Sequence, residues 1–240
     1  MMDEFKANAH ATANSPRRSA VSQGAAGLIW RPPGASWNAP SRKDAALTDT
    51  TTFLATRRSI PIPLLAAPAP EGAELDQILQ IASRVPDHGK LAPWRFILYR
   101  GDAAIDLGKA LAELAEAREG APLSEARQRA ESTRLSRSPL VIGIVSTARE
   151  HVKIPVWEQV LSAGAAAMNL VTAVHAHGYG ANWVTEWIAY DEDAKALLGI
   201  AADEKVVGFV HVGTPQEAPT ERPRPDLADI VTEARAREAG

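Results

Sequence analysis

One stretch limits the possible folds more than any other. From Pro155 to His177 the residue pattern is helical and apolar over nearly its whole circumference. Pro155 suits a first helical turn, where its missing N–H costs nothing, and Gly178 suits the position just past a helix C-terminus. The polar residues Glu158, Ser162, Asn169 and Thr172 follow one another at intervals of four, seven and three, so they share one face. A helix that is apolar on most of its remaining surface is buried rather than laid on the outside of a domain. The small residues from Ser162 to Ala167 would let another helix approach closely. At ~1.5 Å of rise per residue the helix spans roughly 35 Å, the width of a small domain. It can serve as the core or as a subunit interface.

The elements around it alternate. A short helix capped by Asp49 is expected through Leu54 to Thr56, followed by an extended connection enforced by Pro61, Pro63, Pro68 and Pro70. Leu75, Ile78, Leu79 and Ala82 give Glu74–Arg84 a helical period that Pro86 ends. Trp94–Tyr99 reads as a strand. Ala103–Glu119 reads as an amphipathic helix stopped by Gly120, and Ser124–Ser136 as a more polar, mobile helical flank. Pro139–Ser146 is an almost continuous apolar run, the mark of a strand buried on both faces. Gly180–Glu186 and Lys205–Gly213 are two further strands, with a short helix at Asp193–Leu198 between them. The order predicts an α+β or α/β layered domain with a central sheet.

Residues 1–46 lack any apolar period and are rich in Ala, Ser, Asn, Pro and Arg. They read as a disordered or weakly docked extension, with Trp30 and Trp37 able to dock on the folded body. The folded domain is expected over 47–216 and a tail over 217–240. Arg17-Arg18 is followed by a short run of small residues, not the long apolar run of an export signal, so a cytoplasmic location is the expectation. A net charge of −3 offers no basic field for nucleic acid or an anionic membrane. With no cysteine, disulfides, thiolate nucleophiles and Cys-ligated metals are excluded.

Four segments concentrate polar chemistry. Arg57-Arg58-Ser59 pairs two guanidinium groups with a hydroxyl, a combination suited to phosphate, although arginines at a helix end also complement its dipole. Arg84–Phe96 is a Pro- and Gly-bounded loop dense in polar groups ahead of a strand. Gly178–Glu186 carries neither dinucleotide-fingerprint spacing nor a following helix. Val212–Pro215 is followed by Arg222 and Arg224, which could reach a phosphate or lie in an exposed tail. His88, His151, His175 and His177 form no metal-ligand spacing, so no metal is expected, and no G-x-S-x-G elbow signals a serine hydrolase.

Taken in order, seven blocks resemble the nitroreductase superfamily, and within it the minimal-scaffold, YdjA-like branch. They are Thr56–Ser59, Arg84–Phe96, Ser138–Ile142, Lys153–Gln159, Ser162–Ala166, Gly178–Trp183 and Lys205–Pro215, covering nearly all of 47–216. The Pro-Asp-His of 86–88 and the Pro155, Trp157, Glu158 and Gln159 set are the branch-specific part. The resemblance implies an α+β fold, a three-layer sandwich with a central mixed sheet that dimerises through the long central helix. It also implies FMN at each subunit interface, NAD(P)H as hydride donor, and an organic acceptor such as a nitroaromatic or a quinone. By position, Arg57, Arg58 and Ser59 would grip the phosphate and ribityl side. Trp183, Val184 and Thr185 would line the flavin in the same chain. Arg84 and His88 would reach it from the other subunit and stabilise negative charge on the reduced ring. Arg222 and Arg224 are the candidates for a C-terminal phosphate contact. No dedicated nucleophile or acid–base pair is implied, because the cofactor carries the hard step. The sequence departs from the wider superfamily at Lys90 and Ala92, where many members carry Asn and Gln. Other readings are a flavin storage or sensing protein of low turnover, a structural dimer without cofactor, and a different reaction on the same fold.

Overall fold

The structure, a computed structural model, describes residues 50–235. Asp49 and the segment 1–46, with Trp30 and Trp37, lie outside the described residues. Seven α-helices and five strands are described: α1 (Thr50–Thr56), β1 (Leu65–Ala66), α2 (Gly72–Ala82), β2 (Trp94–Tyr99), α3 (Gly101–Glu119), α4 (Glu125–Ser132), β3 (Leu140–Ser146), α5 (Val156–Ala176), β4 (Gly180–Val184), α6 (Glu192–Leu197), β5 (Lys205–Pro215) and α7 (Leu227–Ile230). None of the described helices is long and apolar enough to cross a membrane.

β5 is the spine of the sheet. It pairs with β3 from Lys205 to Val212, with β4 from Phe209 to Gly213, and with β1 at Thr214 and Pro215. β2 adds to the far side of β3, Trp94 facing Ser146 and Tyr99 facing Val141. The α+β class holds, but every neighbouring pair is antiparallel, whereas a mixed sheet was expected. The reason is a crossover. β3 and β4 run in the same direction, joined by α5 as in a parallel unit, but β5 is inserted between them and opposes both. Helix–strand alternation dictates layers; it does not dictate which strand fills the gap.

β3 explains the layers. All seven of its residues are buried, as a strand covered on both faces must be. Leu140, Ile142 and Ile144 face one way, into a core with Leu75 and Ile78 of α2 and Leu170, Val171 and Val174 of α5. Val141 and Val145 face the other way, toward Leu111 of α3, Leu135, Ala194 of α6 and Leu198 at its C-terminal end. The result is a three-layer sandwich of helices, sheet and helices.

α5 runs one residue inside its expected limits at each end, with Pro155 taking the capping position. α4 departs from expectation. It is shorter than Ser124–Ser136 and is tied down, with Ser124 capping it by accepting from the Arg127 N–H. Glu131 is fully buried, ion-paired to Arg127 at 2.7 Å and to Arg134 at 2.5 Å, and accepts from the Trp187 indole at 2.9 Å. The polar composition that suggested a mobile flank belongs to this ionic network.

The α3–α4 contact is close enough to test. A Cβ on Gly108 would sit 2.1 Å from the Ser132 carbonyl oxygen. Alanine would gain ~1 kcal/mol of helix propensity, yet a backbone clash of that depth costs about 1–3 kcal/mol or more. Gly108→Ala is therefore expected to lower the urea midpoint. A midpoint at or above that of the parent protein would show that α4 yields freely.

Candidate functional site

Two of the expected groups are brought together on one side of the sheet. After α1 the Arg57 N–H still bonds the Phe53 carbonyl at 2.9 Å. Ile60 then pins the chain to β4: its N–H donates to Ala181 O at 3.0 Å, and the Asn182 side-chain amide donates to Ile60 O at 2.7 Å. Arg57, Arg58 and Ser59 are thus held beside the strand that carries Trp183, Val184 and Thr185.

The electrostatics of this corner are one-sided. Arg57 Nη1 is buried with no hydrogen-bond partner among the described residues. Burial, then the nearby charges of Arg224 and Arg58, pull the Arg57 guanidinium below its usual range. The buried Nε2 of His175 also lacks a partner, and burial followed by Arg57 pushes this imidazole down to about 4. Arg58 Nε donates to Thr220 O at 3.1 Å and lies 3.4 Å from the Glu221 carboxylate, which is also 3.6 Å from Arg224. Arg224 therefore joins the cluster, whereas the Arg222 N–H merely bonds the Glu221 side chain. Three guanidinium groups and an imidazole converge here, offset by one exposed carboxylate. A buried donor without an acceptor is costly, and a group with several charged oxygens supplies what is missing. Ser59 is exposed beside them.

Trp183 leaves β4 with its indole N–H donating to Val207 O at 3.2 Å. It lies over Gly208, where a Cβ would come within 2.0 Å of the ring nitrogen. Val184 and Thr185 are half-buried, and the chain then turns sharply at Glu186.

The Arg84–His88 segment is held elsewhere, on α5. Asn169 donates its side-chain amide to Ile81 O and, at 3.3 Å, to Arg84 O. The Ser162 hydroxyl donates to Pro86 O at 2.6 Å, and His88 Nδ1 lies 2.8 Å from the Glu158 carboxylate. The Arg84 side chain is exposed, and its guanidinium has no hydrogen-bond or ion-pair partner among the described residues. His88 and Glu158 line a cleft of about 350 Å³ with Pro86, Leu161, Ser162 and Ala165. Among the described residues, no hydrogen bond or ion pair joins this segment to the arginine corner.

Residues 54–214 match the sequence profile of the nitroreductase family. The chain is 33% identical over 187 residues to "Putative NAD(P)H nitroreductase YdjA" of Escherichia coli (strain K12), a match covering 77% of this chain and 98% of that protein. The chain belongs to the nitroreductase family. Among solved structures, the fold is similar to a nitroreductase-like family protein from Bacillus cereus, with TM-score 0.65 and 20% identity over 78% of this chain and 96% of that one. It is also similar to a putative nitroreductase from Exiguobacterium sibiricum 255-15 solved in complex with FMN. There the TM-score is 0.57 and the identity 19%, over 78% and 98% of the two chains.

Sequence reasoning missed two parts of the candidate site. Asp87, in the middle of the Pro-Asp-His motif, has a structural role that the motif alone does not reveal. Its carboxylate accepts from the Leu91 N–H at 3.0 Å and the Ala92 N–H at 2.8 Å, holding a loop in which Gly89, Lys90 and Ala92 all take positive φ. The Pro-Asp-His-Gly signature was the available signal, since Asp commonly organises turns in this way. His175, whose spacing suggests no metal, instead lies buried beside Arg57. Among the described residues, no group of His, Asp or Glu is placed to hold a metal ion.

A pH dependence follows from the buried imidazoles. His211 is driven to about 4 chiefly by burial, with Arg137 and Arg134 adding to it against Glu186. Its Nδ1 faces the Ser138 hydroxyl at 2.9 Å. His175 is shifted to the same value. Above pH ~6.5 neither the folded nor the unfolded imidazole is charged, and there is no penalty. As pH falls from ~6.5 to ~4 the unfolded chain takes up protons that the fold refuses, so stability is lost. Each group accounts for roughly 3 kcal/mol over that window. Urea unfolding at pH 5 should therefore give a stability lower than at pH 7.5 by about 3–4 kcal/mol, and His175→Asn should remove about half of the difference. A stability flat across that interval would contradict the assignment of both histidines as neutral.

Proposed function

We propose that this protein is an FMN-dependent oxidoreductase of the nitroreductase type, acting as a homodimer with one flavin site at each end of the subunit interface. The observation that carries the reading is the buried Nη1 of Arg57, without a hydrogen-bond partner among the described residues, in a corner shared with Arg58, Arg224 and His175. That donor set fits a phosphate monoester, which offers several charged acceptor oxygens to guanidinium forks. The relatives' names add support: YdjA is described as an NAD(P)H nitroreductase, and the Exiguobacterium sibiricum protein was solved with FMN.

In this reading Arg57, Arg58 and Ser59 grip the phosphate and ribityl side, with Arg224 as a further cation. Trp183, Val184 and Thr185 line the ring in the same chain. Bound there, FMN supplies the redox chemistry, accepting hydride from NAD(P)H and passing it to an organic acceptor such as a nitroaromatic or a quinone. Arg84 and His88 of the partner subunit would approach the pyrimidine end, where cations stabilise negative charge. Glu158 orients His88 for that approach by holding Nδ1. No side chain is required as a nucleophile.

The dimer explains an otherwise awkward surface. Trp157, Leu161 and Met168 are 67%, 53% and 42% exposed along one side of α5, flanked by the small residues Gly164 and Ala165. A helix face that exposes a tryptophan, a leucine and a methionine in line marks an interaction site. A two-fold axis across it would pair the face with itself and carry the partner's Arg84–His88 segment toward the site. The working unit is then 47–216, with the first part of the 217–240 tail supplying Thr220, Glu221 and Arg224 to the phosphate corner.

Purified protein should be yellow, or become so on adding FMN, and its visible band should bleach under anaerobic NADH or NADPH. Protein that stays colourless after FMN addition would overturn the reading, and a flavin band that nicotinamides do not bleach would favour storage or sensing. Arg57→Met keeps the apolar stem of the side chain and removes the charge. It should weaken FMN at least tenfold, the scale of one charge-assisted hydrogen bond, while leaving riboflavin affinity unchanged. Equal losses for both flavins would place the phosphate elsewhere.

A further inference from the structure

At the end of β4 a non-glycine residue occupies a conformation that side chains rarely adopt. Glu186 has φ 59 and ψ 177, a region used almost only by glycine. It follows directly on Thr185 and precedes the 3₁₀ turn Trp187–Ala189. Strain of this kind persists only where the surroundings over-determine it, and here they do. The Glu186 carboxylate lies 2.7 Å from Arg137 and 2.9 Å from Arg134. Arg134 is itself 8% exposed, bonds the buried Glu131, and stacks over the Trp187 ring with its guanidinium carbon 5.9 Å from the ring centroid. Arg137 is fixed in turn, its Nε donating to Arg134 O at 3.4 Å. Burial alone would raise the Glu186 carboxyl, but the two arginines outweigh it and keep it below the usual range, so the clamp stays charged.

Both arginines come from the segment between α4 and β3, on the far layer of the sandwich from α5. The clamp therefore ties that layer to the strand end bearing Trp183, Val184 and Thr185. Neither the Thr185 nor the Glu186 N–H donates to another described backbone carbonyl. Both stand outside the sheet ladder, which ends at Val184.

We infer that Glu186, Arg134 and Arg137 form a positioning clamp that holds the strained turn after Thr185 and thereby sets the geometry of the flavin-lining end of β4. None of the three needs to touch the ligand. The clamp acts through Thr185, whose backbone direction on leaving the sheet is set by the conformation Glu186 is forced to keep. This rests on the flavin assignment above, but concerns residues that the assignment does not use.

The test is a double-variant cycle read on cofactor binding. FMN is titrated into parent protein, E186Q, R137M and the E186Q/R137M double variant, following flavin fluorescence and the visible circular dichroism of the bound ring. Thermal midpoints are recorded in parallel without FMN. Both single variants break the Glu186–Arg137 ion pair, and E186Q removes the Glu186–Arg134 pair as well. Each is expected to weaken FMN about five- to tenfold and to alter the visible dichroism in the same way, and the double variant to be no worse than either single one. If parent protein binds FMN and the variants bind it as tightly with unchanged dichroism, the clamp is merely structural and the inference fails, however far the midpoints move. Losses in the two single variants that multiply in the double one would also overturn it, since the residues would then act separately. Failure of the parent protein to bind FMN overturns the flavin assignment, and the inference falls with it.

Discussion

The architecture depends on how one helix divides its circumference. The inner side of α5 is an unbroken run of small and branched apolar residues, and it seals the sheet together with α2. A second side carries Glu158, Ser162 and Asn169. Their spacing lets them meet the α2–β2 connection in succession, Glu158 at the His88 ring and Ser162 and Asn169 at the carbonyls of Pro86, Arg84 and Ile81. The polar stripe of α5 gives donors to Arg84 O and Pro86 O, and a second donor to Ile81 O, which already accepts from the Arg84 N–H. The same bonds fix where Arg84 and His88 stand. Core formation and site placement are thus one event on this helix.

The opposite corner follows a different logic. Hydrogen bonds place Arg57 and Arg58 beside β4, but none satisfies Arg57 Nη1 or His175 Nε2. A protein that only had to fold would gain by replacing this corner with apolar groups of the same volume. Keeping three guanidinium groups close together and partly dehydrated costs stability, which the dianion of the proposed flavin site would offset. The acid sensitivity of His175 has the same origin, since burial and the Arg57 charge both favour its neutral form.

Much of this was legible in the residues. The buried strand at 140–146 and the β2 limits at 94–99 followed from apolar runs and bounding residues, and the α5 limits followed from Pro155 and Gly178. The shared polar face of α5 followed from spacing alone. Strand direction was not legible. The alternation of helix and strand that implied a mixed sheet says nothing about β5, which inserts between β3 and β4 from the far end of the sequence. Neither was the role of the α4–β3 region: Ser124–Ser136 reads as a polar, mobile flank, and only the fold brings Trp187 and Glu186 against Glu131, Arg134 and Arg137. Contacts between residues about fifty positions apart leave no periodic trace.

The strained residues make the division sharper. Among the described residues, the non-glycine positions with positive φ are Lys90, Ala92 and Glu186. All three fall in the two segments that bear the candidate site. Two of them stand where the wider superfamily often carries Asn and Gln, and Asn tolerates the left-handed region better than Lys or Ala does. Each segment has its own restraint: the Asp87 carboxylate caps two N–H groups in one, and the paired arginines hold Glu186 in the other. A chain selected for stability alone would place glycine at such positions and dispense with the restraints. Among the described residues, non-glycine positive φ is confined to the candidate-site segments and is compensated there by charged groups, which indicates that the shape of these two loops is what the surrounding structure is built to maintain.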